Sequence, residues 1–334
     1  MKVGLIGAGL QGKRRGRAIK QCGDQILAVA DIQPERAQLL TDELGCEATA
    51  NWEEVVARED IEAVIVCTPP NLHLSMCVDA LEQGKHVLCE KPLARNPEEA
   101  QQILAVAENS GGTLKCGFNH RHHPGIQQAR EWLDEGTIGE LMFIRCRYGI
   151  GGRPGYDKEW RADPEISGGG QLMDQGMHAL DLSRWFLGDF AEVFGSLQTA
   201  FWDVAPLEDN AFCLLRTEGG QTASIHVSWT QWKNLFSFEL FGRNGYIIVQ
   251  GLGGSYGTEQ AILGKRAFLE PFREEIVEFH GEDNSWSDEW REFVSAINES
   301  RQPLGSGRDG LEAVRLAYAL YESAQKGCVV RLNR

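Results

Sequence analysis

A short apolar run, Lys2-Val3-Gly4-Leu5-Ile6, leads straight into Gly7-Ala8-Gly9-Leu10-Gln11-Gly12. A buried strand that breaks on a glycine and reopens as a helix leaves few folds available. Gly7 permits a tight turn, Gly9 lets a pyrophosphate approach the backbone, and Gly12 lets the helix pack closely on the strand, with Leu10 and Gln11 beside the bound group. Such spacing alone is weak evidence. A second apolar run, Ile26 to Ala30, ends in Asp31, nineteen residues beyond Gly12, where an acid can accept hydrogen bonds from an adenosine ribose. Strand, glycine turn, helix, strand and acid in this order specify the first βαβ unit of a dinucleotide-binding sheet.

The alternation continues. Helix signals from Leu10, Pro34, Leu72 and Pro97 alternate with strand signals at Ile26 to Ala30, Ala63 to Val66, His86 to Leu88 and Thr113 to Cys116. This predicts an α/β domain, residues 1–117, with a doubly wound parallel sheet. After a helix around Ile126 to Glu135 the character changes to strands at Met142 to Tyr148, Ala191 to Ala200, Asn210 to Thr217, Thr222 to Gln231, Phe236 to Phe241 and Tyr246 to Gln250. Turns such as Glu218-Gly219-Gly220 and Arg243-Asn244-Gly245 read as hairpins. Residues 118–334 are therefore expected to form an α+β domain with a large, mainly antiparallel sheet and late helices at Asp288 to Ser300 and Asp309 to Lys326.

A net charge of −15 argues against a nucleic-acid partner. Local cations must hold any anionic ligand, and Lys13, Arg14 and Arg15 follow the glycine turn closely enough to do so, although a solvated basic face has the same pattern. The first strand begins at once, and no apolar run is long enough to span a membrane. The nine cysteines are scattered without a Cys-x-x-Cys pair. Both features point to a cytoplasmic chain with reduced thiols.

The candidate chemistry comes from three places. Lys91, in Cys89-Glu90-Lys91-Pro92, follows a predicted strand, and open α/β sheets bind ligands at the carboxyl ends of their strands. A long loop, residues 149–161, carries Tyr156, Trp160 and Arg161 and reads as a substrate-facing element whose rings suit a sugar face. Arg153, Lys158 and Arg161 there suit a substrate phosphate or ordinary surface charge. Gln171 to Leu187 reads as one helix with Asp174, His178 and Asp181 on one side, and Gly168-Gly169-Gly170 before it leaves room for a ligand. His120, His122 and His123 match no zinc spacing, so no metal is expected.

Glu90-Lys91-Pro92, Gly117-Phe118-Asn119-His120-Arg121, and Gly168-Gly169-Gly170 with Asp174, Gly176, His178 and Asp181 together resemble the Gfo/Idh/MocA oxidoreductases over essentially the whole chain. The resemblance implies a Rossmann domain followed by an α+β domain whose sheet packs against another subunit in a homodimer or homotetramer. It implies a nicotinamide facing Lys91, Asp174 and His178, and a reaction interconverting a ring hydroxyl and a ketone on a sugar, cyclitol or sugar derivative. His178 is the candidate base, Lys91 stabilises the substrate oxygen or is itself the base, and Asp174 orients substrate or imidazole. The bond before Pro92 is expected to be cis. Thr68, Pro69, Asn71, His73, Glu90 and Asn119 are carried over as cofactor contacts, and Arg121 as a substrate contact or a brace at the junction. Asp31 favours NAD because a carboxylate repels a 2′-phosphate; Arg36 and the Lys13 to Arg15 cluster keep NADP open. The rival functions are a sugar-nucleotide 3-dehydrogenase or ketoreductase and a non-catalytic dinucleotide sensor.

Overall fold

A computed structural model describes residues 1–332; residues 333 and 334, the end of the expected second domain, lie outside the described residues. The chain divides into two compact units. One comprises Met1–Asn119 with Trp286–Val314, and the other His120–Ser285 with the chain from Arg315 onward.

The first unit holds a six-stranded sheet of β1 (Lys2–Ile6), β2 (Gln25–Ala30), β3 (Glu47–Thr49), β4 (Ala63–Val66), β5 (His86–Glu90) and β6 (Leu114–Gly117), in the order β3-β2-β1-β4-β5-β6. Every pair is parallel. Val3, Leu5, Val64, Ile65, Val66, Val87 and Leu88 are fully buried, so the strands read as continuous apolar runs, as parallel strands covered on both faces must. The helices start where the sequence marks them. Pro97 occupies the first turn of Pro97–Ser110, Asn96 caps it by accepting from Glu99 N at 2.8 Å, and Gly111 closes it at φ +75°. β3 and the helix Trp52–Val56 were not expected, being three and five residues long.

Residues 286–314 depart from the expected 118–334 domain. Trp290 and Phe293, on the helix Ser285–Asn298, are buried in one cluster with Val3, Leu5, Ile65 and Leu88. Their apolar area completes the core of the first unit, and the Trp290 indole N–H donates to Asp24 at 2.7 Å.

The second unit holds nine strands: β7 (Leu141–Gly149), β8 (Phe190–Gln198), β9 (Asn210–Thr217), β10 (Thr222–Ser228), β11 (Leu235–Gly242), β12 (Gly245–Gln250), β13 (Glu259–Lys265), β14 (Glu274–Phe279) and β15 (Val330–Arg331), in the order β14-β13-β12-β11-β7-β10-β9-β8-β15. All pairs are antiparallel except β7 with β10. The expected hairpins join β9 to β10 and β11 to β12. β13 and β14 were not expected: β13 is buried through its middle without alternating, and β14 is a charged, largely exposed edge strand. The alternation of β9 is clear: Ala211, Cys213 and Leu215 point inward, while Phe212 and Leu214 are 44% and 49% exposed. The helix Gly176–Leu187 packs on the covered face against β7 and β10.

The single helix expected over Gln171 to Leu187 is two helices, Gln171–Asp174 and Gly176–Leu187. At the break His178 N bonds Gln175 O three residues back, a tighter turn than the α-helical ladder allows. Asp174 and His178 therefore sit on two successive helices rather than one.

Candidate active site

In the first unit the parallel strands all end at one edge of the sheet. The Gly7 turn after β1, Asp31 after β2, Thr68-Pro69 after β4, Glu90-Lys91 at the end of β5 and Asn119 beyond β6 are brought to that edge by topology alone. Gly7 has φ +98°, and a Cβ there would lie 2.7 Å from Cys67 O; one on Gly12 would lie 1.9 Å from Gly7 O. Around Gly9 nothing comes within 4 Å of a Cβ position. The turn is thus closed on its inner side and open where a pyrophosphate would approach. Asp31 braces it, accepting from Ala8 N at 2.7 Å and Gln33 N at 2.8 Å.

A further observation fits a dinucleotide. Gln11 Oε1 and Asn71 Oδ1 are buried atoms without a hydrogen-bond partner among the described residues. Both belong to the expected cofactor set, and a buried carbonyl oxygen left so is costly unless a ligand or water meets it. The Lys91–Pro92 bond is cis. His73 is fully buried, with Nδ1 2.9 Å from Pro92 O and Nε2 2.9 Å from Thr68 O. It ties the loop after β4 to the turn after β5, and burial lowers its pKa against the pull of the two carbonyls. His73 is a clamp behind the cofactor edge.

The expected cationic cluster after the glycines is divided. Arg15 points inward, is 2% exposed, and pairs with Glu90 at 2.8 Å and with Glu289. Burial opposes its charge, yet Glu289 and Glu90 together raise its pKa. Burial in turn raises Glu289 against the pull of Arg15 and Lys115. Arg15 thus commits Nε and Nη1 to carboxylates, and Glu90, expected at the cofactor, is paired with it. Cys89 lies beside Cys77 and Cys116, all buried free thiols, with Cys89 raised chiefly by desolvation.

In the second unit, Asp174 pairs with Arg161 Nε at 3.3 Å, and Arg161 stacks over Trp160 at 4.4 Å. These three expected residues are brought together. Arg153 is held by Glu159 through two bonds of 2.7 Å. Tyr156 does not offer its ring to a sugar: it is 2% exposed, 4.8 Å from Trp229, with Arg153 over it at 5.1 Å. Arg121 is a brace. Buried, it donates to Asp181 at 2.8 and 2.5 Å, which removes both from the substrate-facing set.

The glycines before Asp174 leave room for protein. A Cβ on Gly169 would lie 2.2 Å from the Tyr321 hydroxyl, and one on Gly170 2.1 Å from Glu208 O. Glu208 is buried; its carboxylate accepts from Leu172 N at 2.8 Å, Gly170 N at 3.2 Å and Tyr321 OH at 2.9 Å. Burial raises its pKa against those donors. His178 is buried on the next helix, with the ring of His120 stacked on it. His123 engages Glu259 at 3.0 Å. Sequence reasoning missed Glu208 and Tyr321 because nothing local marks a residue whose partner is distant in the chain.

Residues 1–118 match the family model described as an oxidoreductase family with an NAD-binding Rossmann fold, and residues 126–248 match the model of the GFO/IDH/MocA C-terminal domain. Among curated relatives, a dTDP-3,4-didehydro-2,6-dideoxy-alpha-D-glucose 3-reductase of Actinomadura kijaniata is 33% identical over 97% of this chain and 96% of its own. An inositol 2-dehydrogenase of Rhizobium meliloti is 27% identical over 97% and 96%. The solved structure of a levoglucosan dehydrogenase in complex with NADH and levoglucosan superposes with a TM-score of 0.91 at 25% identity, covering 100% of both chains.

Proposed function

The chain belongs to the Gfo/Idh/MocA family of oxidoreductases, and from that footing we propose that it is an NAD-dependent dehydrogenase interconverting a ring hydroxyl and a ketone on a sugar or cyclitol. The observation that carries this reading is that the strand ends meeting at one sheet edge bear the open approach to Gly9, Asp31 and the turn that contains Lys91. The substrate class is supported by the sugar and cyclitol enzymes among the relatives.

Gly7, Gly9, Leu10, Gln11 and Gly12 would hold the pyrophosphate, and Asp31 the ribose, with Thr68, Pro69, Asn71 and Asn119 completing the contacts. When bound, the nicotinamide supplies the hydride acceptor. The chain must then move a proton. His178 accepts it from the substrate hydroxyl, an imidazole being able to pass a proton either way near neutral pH. Lys91 stabilises negative charge on that oxygen, and Asp174, held by Arg161, orients the substrate. Lys91→Ala and His178→Ala should each leave NADH binding intact and lower turnover roughly 10²–10⁴-fold. Full activity in either removes that residue from the mechanism. The assay is cofactor reduction followed against inositols, aldoses, anhydro sugars and nucleotide sugars.

The 33% identical reductase favours a second reading, a nucleotide-sugar substrate. Under it, Arg161→Ala weakens nucleotide-sugar turnover more than free-sugar turnover. Against it, Arg153 and Arg161 are already paired with Glu159 and Asp174. No helix among the described residues is long and apolar enough to cross a membrane, and the nine free cysteines suit the reducing cytoplasm. The exposed Phe212, Leu214 and Phe194 on the open face of the large sheet support association with a second copy.

A further inference from the structure

The rings of His120 and His178 lie face to face, centroids 3.6 Å apart and planes within 11°. Both side chains are buried. Two imidazoles in this contact cannot charge independently: a cation on one is attracted to the face of a neutral ring and repelled by a second cation. His120 is also fixed in place. Its Nε2 meets the Tyr148 hydroxyl at 3.0 Å, and its edges meet His123 at 5.4 Å and Phe236 at 6.0 Å. Tyr148 is bonded to Tyr256, whose hydroxyl accepts from Gln175 Nε2 at 2.9 Å. Gln175 is the residue between the two helices that carry Asp174 and His178. The network therefore starts at the stack and closes on the segment that supplies the chemistry.

On the footing that His178 receives the substrate proton, we propose that His120 is a positioning residue: it fixes the plane of the His178 imidazole and gives the cation formed there a neutral aromatic face. In the oxidising direction the substrate C–H bond breaks with its electron pair leaving to the nicotinamide. The hydroxyl proton passes to His178, the C=O bond forms, and His178 is a cation until solvent takes the proton. His120 exchanges no proton with His178, because stacked rings present no N–H to each other. The charged and titratable groups around the pair are Tyr148 on β7, Tyr256 after β12, His123 with Glu259 and Asp283, the Arg121–Asp181 pair, and Asp174 with Arg161.

The test uses the full chain labelled with ¹⁵N in its histidine rings, the His178 signals being identified by their loss in His178→Ala. His120→Leu should lower the proton affinity of His178 about thirtyfold, the scale of a desolvated cation–ring contact. His120→Phe, which keeps a flat neutral ring, should hold it within about threefold. With a sugar that turns over, kcat should fall in His120→Leu and recover in His120→Phe, while NADH affinity stays constant and reports an intact fold. An unmoved His178 titration in His120→Leu overturns the proposal, as does equal loss in both variants with NADH binding preserved. Full turnover in His178→Ala is a different failure, sinking the role assigned to His178 under the proposed function.

Discussion

Two runs of glycine serve opposite ends in the two units. Around Gly9 there is open space, and the neighbours Gly7 and Gly12 are tight against Cys67 O and against Gly7 O itself. Before Asp174 the space is taken: Gly169 gives way to the Tyr321 hydroxyl and Gly170 to the Glu208 backbone. The first run is shaped for something that arrives, the second for something already present. A missing side chain thus announces close approach without saying of what, and only the partner's identity separates a ligand site from a packing site.

The contrast can be broken by adding a methyl group to each run. Gly170→Ala should have the largest effect, about 3 kcal/mol of lost stability in denaturant titration, because the obstacle is a backbone carbonyl that cannot swing away. NADH affinity should hold in that variant. Gly9→Ala should do the reverse, leaving the unfolding midpoint nearly unchanged while calorimetric NADH affinity falls about tenfold, as the methyl enters the pyrophosphate approach. Stability loss without affinity loss in Gly9→Ala would erase the distinction. A double-mutant cycle refines it further: Tyr321→Phe removes the hydroxyl that a Cβ on Gly169 would meet, so it should return about 1 kcal/mol of the cost of Gly169→Ala.

The smallest expected effect is one of sign. His73 in the first unit has a folded pKa below its ordinary 6.5, so the unfolded chain binds more protons and stability from this group is lost as pH falls below about 6.5. Glu208 in the second unit has a folded pKa above its ordinary 4.5. The folded chain then binds more protons, and stability from this group is lost as pH rises above about 4.5. Between those values, the stability differences of His73→Asn and Glu208→Gln from wild type should slope in opposite directions with pH. Slopes of one sign would contradict the burial argument for one of them.

What the sequence made legible follows the range of each interaction. The fingerprint, Asp31 and the alternation of the first 117 residues depend on local backbone needs, and they appear where spacing places them. Arg15 reads like its charged neighbours Lys13 and Arg14, whereas its partners Glu90 and Glu289 lie 75 and 274 positions away. Tyr156 looked like a platform in a polar loop until Trp229, on another strand's end, covered it. The glycines at 168–170 were seen, but Tyr321 and Glu208, themselves 113 positions apart, gave no signal to define their use. Trp286–Val314 follows the same rule, since an amphipathic helix shows that it has a buried face and not which core receives it.

The parallel pairing of β7 with β10 sets an order in time. β7 is made before either of its neighbours, with Phe143 waiting for Thr222 on one side and for Phe241 on the other. During synthesis the strand emerges with both edges unpaired and Ile144, Cys146 and Tyr148 uncovered, while β8–β10 and β11–β14 can each zip locally as meanders. The central strand of the finished sheet thus waits longer than its neighbours with both edges unpaired, and is a segment that a chaperone would have reason to shield.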